Sequence, residues 1–519
     1  GIELRWEGKG VDENIKNFTR NNKSNIIISS VFILSVYLIK LGTLATSIDN
    51  EAAISVSSSL YTAWLSMGRI ALVYLKKVFG VGIYNPFLSM FMLIILMIFS
   101  IITWGMIFDY IKNNKNKYAY WIFISIFFTA PIMAEQLGFV MQAVEVLLGI
   151  NLVAISLFYT YRYFIDTPKK YYLIISVILS GIAFSIYQAL TTIYVTAAIC
   201  LFILYISRKD VTNPKKIWQV IILNIILFFL SYVVYFVLAK CVLSLLHIEA
   251  TKYTGDQVAW GTVPVIQCIK NILKYIKGTV TDNTIFYSKV YVVLAILLVI
   301  NAFYGKKEKY DKRYYIYILA IGALLVTPFL MGIILGGQPT KRTAISYPFM
   351  LGFSSMYLFE EIRTKIKNKD AILILMVLVA LVPFKQSVLS SRLYYTEYIT
   401  NKESEIVATK ISNRIEEITG SYNPEEKIAF IGCMRLNRNN SCYQLEDLEY
   451  VGRGFFETSF STTHGSFLMR NYMATLGINY QCPSEDDAKI AEEYAKDMPA
   501  WPNKESVKKV DNIVIVKLG

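Results

Sequence analysis

Residues 86–106 read PFLSMFMLIILMIFSIITWGM, twenty-one positions without a charge. About 20 helical residues cross the hydrocarbon core of a bilayer, so an uncharged run of roughly 18 or more reads as a membrane span. With no water inside the bilayer, the backbone must satisfy its own hydrogen bonds, which makes the span a helix. A membrane β-barrel would instead alternate polar and apolar residues in segments of about 10. This stretch does not alternate, and neither does IIISSVFILSVY at 26–37. The whole chain shares the bias: of 519 residues 55% are hydrophobic and 17% charged, against roughly 45–50% and 25% in soluble domains.

Working outward from that run, eleven spans are expected, at 26–46, 86–108, 118–134, 138–162, 171–187, 190–207, 216–246, 288–304, 314–336, 344–360 and 370–390. The apolar stretch 171–207 is too long for one span and divides at Tyr187–Gln188. Loop charge orients them. KNNKNK (112–117), YRYFIDTPKK (161–170), RKDVTNPKK (208–216), KKEKYDKR (306–313) and RTKIKNK (363–369) are short and basic, as cytoplasmic loops are. The alternate loops SIDNEAAISVSSS (47–59), MAEQLG (133–138) and GGQPT (336–340) are less basic. The net charge of +14 is therefore a topology signal, and no nucleic acid is expected as a partner.

The expected architecture is an all-α polytopic protein of the cell membrane. A cytoplasmic segment (1–25) leads into a transmembrane domain (26–390) with long outer loops at 47–85 and 247–287. A small extracytoplasmic α/β domain (391–519) follows. No secretory signal with a small-residue cleavage site precedes the first span, which is expected to stay as a signal-anchor. The stretch SLYTAWLSMGRIALVYLKKVFG (59–80) places Leu60, Trp64, Met67 and Ala71 on one helical face, as a helix lying in the interface would. In the C-terminal region, EKIAFIGC (426–433) and NIVIVKLG (512–519) read as strands, and SEDDAKIAEEYAKDM (484–498) as a helix opened by a capping Ser. Of six cysteines, Cys200 and Cys241 sit in apolar runs as packing residues. Cys433 and Cys442 have the spacing of a short disulfide loop if that region is extracytoplasmic.

Three groups of residues have chemical potential. Asp49 and Glu51 lie just outside the first span, where a carboxylate at the mouth of a cavity suits a general base. Glu135 occupies the outer turn between the third and fourth spans. Glu145 lies inside the following apolar run, where an acid faces a wet cavity or a partner. Lys341 and Arg342, with Arg69, are basic residues on the outer side, against the positive-inside bias. Their natural ligand is a phosphate, and the plainer reading is snorkelling or an acid partner. Walker, dinucleotide and HExxH signatures are missing, and two histidines leave little room for a triad or a zinc cluster.

The ordered set Asp49-Asn50, Trp64, Met67-Gly68-Arg69 and Asn85-Pro86 resembles the first outer loop of the GtrII-like glucosyltransferases. PIMAEQLGFVMQAVEVLLG (131–149), AFSIYQAL (183–190) and TKRTAISYPFMLGF (340–353) resemble later motifs of that family, across about 30–390. The chain departs from it at Asn50, where a second acid is usual, and in Met-Gly-Arg for Asp-Gly-Arg.

The resemblance implies a GT-C-like fold and a hexosyltransferase using a polyprenyl-phosphate-linked sugar donor and a cell-surface glycan acceptor, with glucose the family default. It implies Asp49 as base, alone or with Glu51, and Glu135 beside it. Arg342, Lys341 and Arg69 would face the donor phosphate. Tyr187 and Gln188 would line the sugar or phosphate site, with Glu145 nearby. Trp64 would stack on a sugar or, better, seat the interfacial helix. No cofactor and no obligatory metal are expected. The competing readings are a lipid-linked glycan flippase and an O-antigen polymerase-like enzyme.

Overall fold

The computed structural model of the protein describes residues 11–78, 85–112, 117–304, 312–435, 443–444 and 448–519. Every one of the eleven apolar stretches is helical. Among the described residues, six helices are long and apolar enough to cross a membrane alone: Lys23–Thr43, Pro86–Lys112, Val140–Ile165, Pro214–Leu245, Arg313–Leu335 and Lys369–Thr419. A bent pair, Tyr120–Thr129 with Pro131–Gly138, makes a seventh, and Lys170–Ile186, Leu190–Ile206 and Val290–Tyr304 are shorter apolar helices. The stretch 171–207 breaks at Tyr187–Gln188 as expected. Cys200 is buried, but Cys241 is exposed on its helix and packs in no core. The Cys433–Cys442 pairing lies outside the described residues through Cys442.

The 59° bend between Tyr120–Thr129 and Pro131–Gly138 follows from Pro131, which has no N–H and pushes Ala130 out of helical geometry to φ −59°, ψ 137°. A bend frees carbonyls that lipid cannot solvate. Here side chains take them: Tyr37 Oη donates to the Phe128 carbonyl (2.8 Å), Ser390 Oγ to that of Thr129 (2.7 Å) and Tyr394 Oη to that of Ala134 (2.7 Å). The same bend is wedged against the helix Ser346–Arg363, where Gly352 is required. A Cβ there would meet the Phe123 carbonyl oxygen at 2.7 Å. Around it Trp104, Phe123 and Phe349 pack edge to face, with Trp104–Phe349 centroids at 5.1 Å and Phe123–Phe349 at 4.9 Å.

The last apolar stretch belongs to a helix longer than the expected span. Its helix does not stop near 390 but runs unbroken through Lys369–Thr419, about 75 Å at 1.5 Å per residue. Beyond the apolar part, its buried stripe (Tyr394, Glu397, Thr400, Ser404, Ala408, Ile411, Ile415) carries the C-terminal unit. That unit has a three-stranded sheet in the order β1-β3-β2, with β1 Lys427–Ile431, β2 Val507–Val510 and β3 Ile513–Lys517. β1 and β3 are parallel, β2 and β3 antiparallel. Helices Thr462–Thr475 and Glu485–Ala495 flank it, the second opened by the capping box of Ser484 and Asp487. Lys40 of the helix Lys23–Thr43 forms a buried ion pair with Glu397 of the long one, which ties the two together.

Residues 59–80 are not one interfacial helix. Helices Ser57–Ser66 and Ile70–Val78 meet at a turn centred on Gly68 (φ +81°), where a Cβ would also lie 2.8 Å from Tyr235 Oη.

Candidate active site

The chain leaves the first helix at Leu44 and is held at once from two sides. Asn401 of the long helix accepts from Thr46 N (2.9 Å) and donates to its carbonyl (2.7 Å). Ser47 Oγ donates to the Gly138 carbonyl (3.2 Å), and Asn50 Nδ2 to Ser47 Oγ (3.0 Å). Asn50 thus serves as a strut where a second acid was the expected type. Asp49 stands between these anchors with φ +74° and heads the helix Asn50–Ser55 without capping it. A non-glycine residue in the left-handed region is uncommon, though Asp tolerates it best. Ser55 Oγ then donates to the Asn471 carbonyl (3.0 Å), tying this short helix to the C-terminal unit.

Positive charge converges on Asp49 from two other segments. Arg69, next to the Gly68 turn, donates to Gln142 Oε1 (3.3 Å), and its guanidinium lies 5.0 Å from the Tyr187 ring. Arg342 lies 4.6 Å from the Phe139 ring and 4.7 Å from that of Tyr450, in the corner of two rings that meet edge to face at 6.0 Å. Burial raises the Asp49 carboxyl above the ordinary aspartate value, while Arg342, Arg69 and His464 pull it back. Glu51 is 1% exposed, and one of its oxygens has no partner among the described residues. Burial, with the Asp49 charge adding to it, pushes Glu51 well above the usual range. The two acids therefore differ: arginines oppose the rise at Asp49, whereas the Asp49 charge adds to it at Glu51.

Glu135 is fully buried and faces away from solvent. Its carboxyl accepts Tyr450 N (2.8 Å) and Val451 N (3.1 Å), which pins the segment carrying Tyr450 over Arg342. Lys341 gives its backbone N–H to Glu449 Oε2 (2.7 Å), while its ammonium lies 4.7 Å from the Phe286 ring. Gln188 Nε2 is used internally, donating to the Met67 carbonyl (2.7 Å) and Tyr235 Oη (3.1 Å). Glu145 is paired with Lys76 at 2.9 Å, both nearly buried, and Lys76 lies 6.0 Å from the ring of the buried Trp64.

Asp49, Glu51, Arg69, Tyr187 and Arg342 are thus gathered in one place, with Glu135 behind them. Glu145, Trp64 and Gln188 belong to the packing that holds the loops. Glu449, Tyr450 and His464 join the site from the C-terminal unit. No local pattern in LEDLEY (445–450) marks them out, since they become neighbours of Asp49 only through the fold.

Comparison with curated proteins and with solved structures finds no match. The family model described as glucosyl transferase GtrII matches residues 38–359, which include Asp49, Glu51, Arg69, Glu135, Tyr187 and Arg342 and exclude the C-terminal unit. The match covers more than half of the 519 residues, and the chain belongs to the GtrII family of glucosyltransferases.

Proposed function

We propose that this glycosyltransferase moves glucose from a polyprenyl-phosphate carrier to a surface glycan on the outer side of the cytoplasmic membrane, with inversion at the anomeric carbon. The observation that carries this reading is Asp49 facing Arg342 and Arg69 across one polar site. In a direct displacement the acceptor hydroxyl gives its proton to Asp49 as its oxygen bonds to C1. The bond from C1 to the phosphate oxygen breaks, and the electron pair leaves with the polyprenyl phosphate. A base on one side and fixed guanidinium groups on the other supply both needs. Arg342 is the principal phosphate ligand and Arg69 the second. Glu51, protonated, is a hydrogen-bond donor rather than a second base.

The outer location is supported by the origin of the parts. Asp49, Arg69, Glu135, Tyr187 and Arg342 all come from segments on the non-basic side of the loop pattern, and the C-terminal unit closes over that same side. We therefore read eleven crossings, with the N-terminus cytoplasmic and residues 391–519 outside.

The test is glucosyl transfer in membrane vesicles with the Asp49→Asn variant. Removing a general base costs about 10²–10⁴-fold in rate, with donor binding and expression retained. Transfer at the parental rate would remove Asp49 from the mechanism. A parent that moves no sugar but carries the lipid donor across vesicles would be a transporter.

A further inference from the structure

Beside Arg342 and Tyr450 lies a cavity of ≈ 370 Å³ between the 338–341 turn and the C-terminal segment 448–460, within the usual size range of small-molecule sites, about 300–1,000 Å³. Its lining is mixed. Tyr450 forms the wall shared with Arg342. Phe460 is 42% exposed, its ring edge-on to His464 at 4.8 Å. Glu449 holds Lys341 N with one oxygen, and the other is buried without a partner among the described residues. Arg453 is turned onto the Leu448 carbonyl (3.0 and 2.7 Å), and the exposed Ser459 lies at the rim.

Aromatic side chains set among hydroxyl, carboxyl and cationic ones suit a polyol, whose C–H faces cover rings and whose hydroxyls both donate and accept. The lining from 448 to 460 lies outside the stretch matched by the family model, 38–359.

We infer that this cavity is a saccharide subsite that seats a sugar unit of the acceptor glycan beside Arg342, the C-terminal unit thereby choosing the acceptor. This rests on the glucosyl transfer proposed above. A sugar bound here lies next to the Tyr450 wall and places its neighbour toward Asp49. Acceptor recognition then falls to Glu449, Tyr450 and Phe460, and donor recognition to Arg342 and Arg69.

The experiment uses the full chain in nanodiscs and oligosaccharides released by mild acid from the producing cells' surface polysaccharide. Saturation-transfer NMR reads their binding to the parent, Asp49→Asn, Phe460→Ala and Ser459→Trp proteins. Phe460 and Ser459 are exposed, so both changes leave the fold standing, and the second fills the cavity rather than emptying it. The expected result is binding to the parent and to Asp49→Asn, and at least about tenfold weaker binding in the other two, or about 1.4 kcal/mol. The KM for acceptor rises in parallel while that for donor stays. Parental binding in both Phe460→Ala and Ser459→Trp overturns the inference, as does a parent that binds no oligosaccharide. A parent that binds them but transfers no glucose leaves the subsite standing and removes the proposed reaction.

Discussion

Replacing Glu135 with alanine takes away the acceptor shared by Tyr450 N and Val451 N at 2.8 and 3.1 Å. Val451 is fully buried, so its amide is left without a partner, and Tyr450 N, half-buried, is only partly compensated by water. A buried unsatisfied donor costs about 1–3 kcal/mol. With one amide paying the larger share, the sum is about 2–3 kcal/mol, or a roughly 30–150-fold rise in the opening of this segment. Hydrogen exchange followed by mass spectrometry on the nanodisc-embedded protein reads that factor in peptides covering 448–456. Glu135→Gln keeps one carbonyl acceptor and should recover part of the protection. Unchanged exchange in Glu135→Ala would mean that the membrane-embedded bend does not hold the C-terminal segment, and the assembly of Tyr450 over Arg342 would need another cause.

The remaining predictions concern charge. Burial lifts Asp49 above its ordinary value, and only the ionised form accepts a proton, so transfer falls as pH drops through that raised value; Arg69→Gln, which removes an opposing charge, moves this acidic limb to higher pH. Arg342→Lys keeps the charge but loses the guanidinium's contacts with the Phe139 and Tyr450 rings, and a drop of about tenfold in kcat/KM for donor is expected in a transfer assay; full activity would make Arg342 a simple point charge. The folded state raises the Glu51 value, so its contribution is complete below the unfolded value and is lost as pH rises through the folded one. Glu51→Gln should therefore melt later than the parent in alkaline buffer, with the gap closing toward about pH 4. Lys76→Met strands Glu145 in the packed core and should cost about 3–5 kcal/mol in thermal melts, with much of this regained in the Lys76→Met/Glu145→Leu double variant.

The helical character of the apolar stretches was legible because hydrocarbon demands long apolar runs, and the turn at Tyr187–Gln188 because two polar-tipped residues interrupt such a run. The continuation of the last helix was not. Its buried stripe beyond 390 includes Glu397, Thr400 and Ser404, which lower the hydropathy just where the helix leaves the apolar layer. Polarity there marked the end of the lipid, not of the helix. The break at Gly68 was hidden for the opposite reason: the apolar spacing carries on across it, and only the packing of Tyr235 against the turn reveals why a glycine is needed. Asp49 and Arg342 stood out as charges next to membrane spans. Their division of labour with Glu51 depends on burial, and the Glu135 anchor depends on a segment more than three hundred residues away.

The Tyr450 lid over Arg342 also sets a timetable for the newborn chain. Glu449 is made 107 residues after Arg342, which at about 5–20 residues per second means roughly 5–20 s during which Arg342 stands without its cover. A chain stalled or clipped before 443 has neither Glu449 nor Tyr450, and Glu135 is left with two empty acceptor positions. Synthesis of residues 449–451 therefore supplies the last contacts around Arg342 and Glu135.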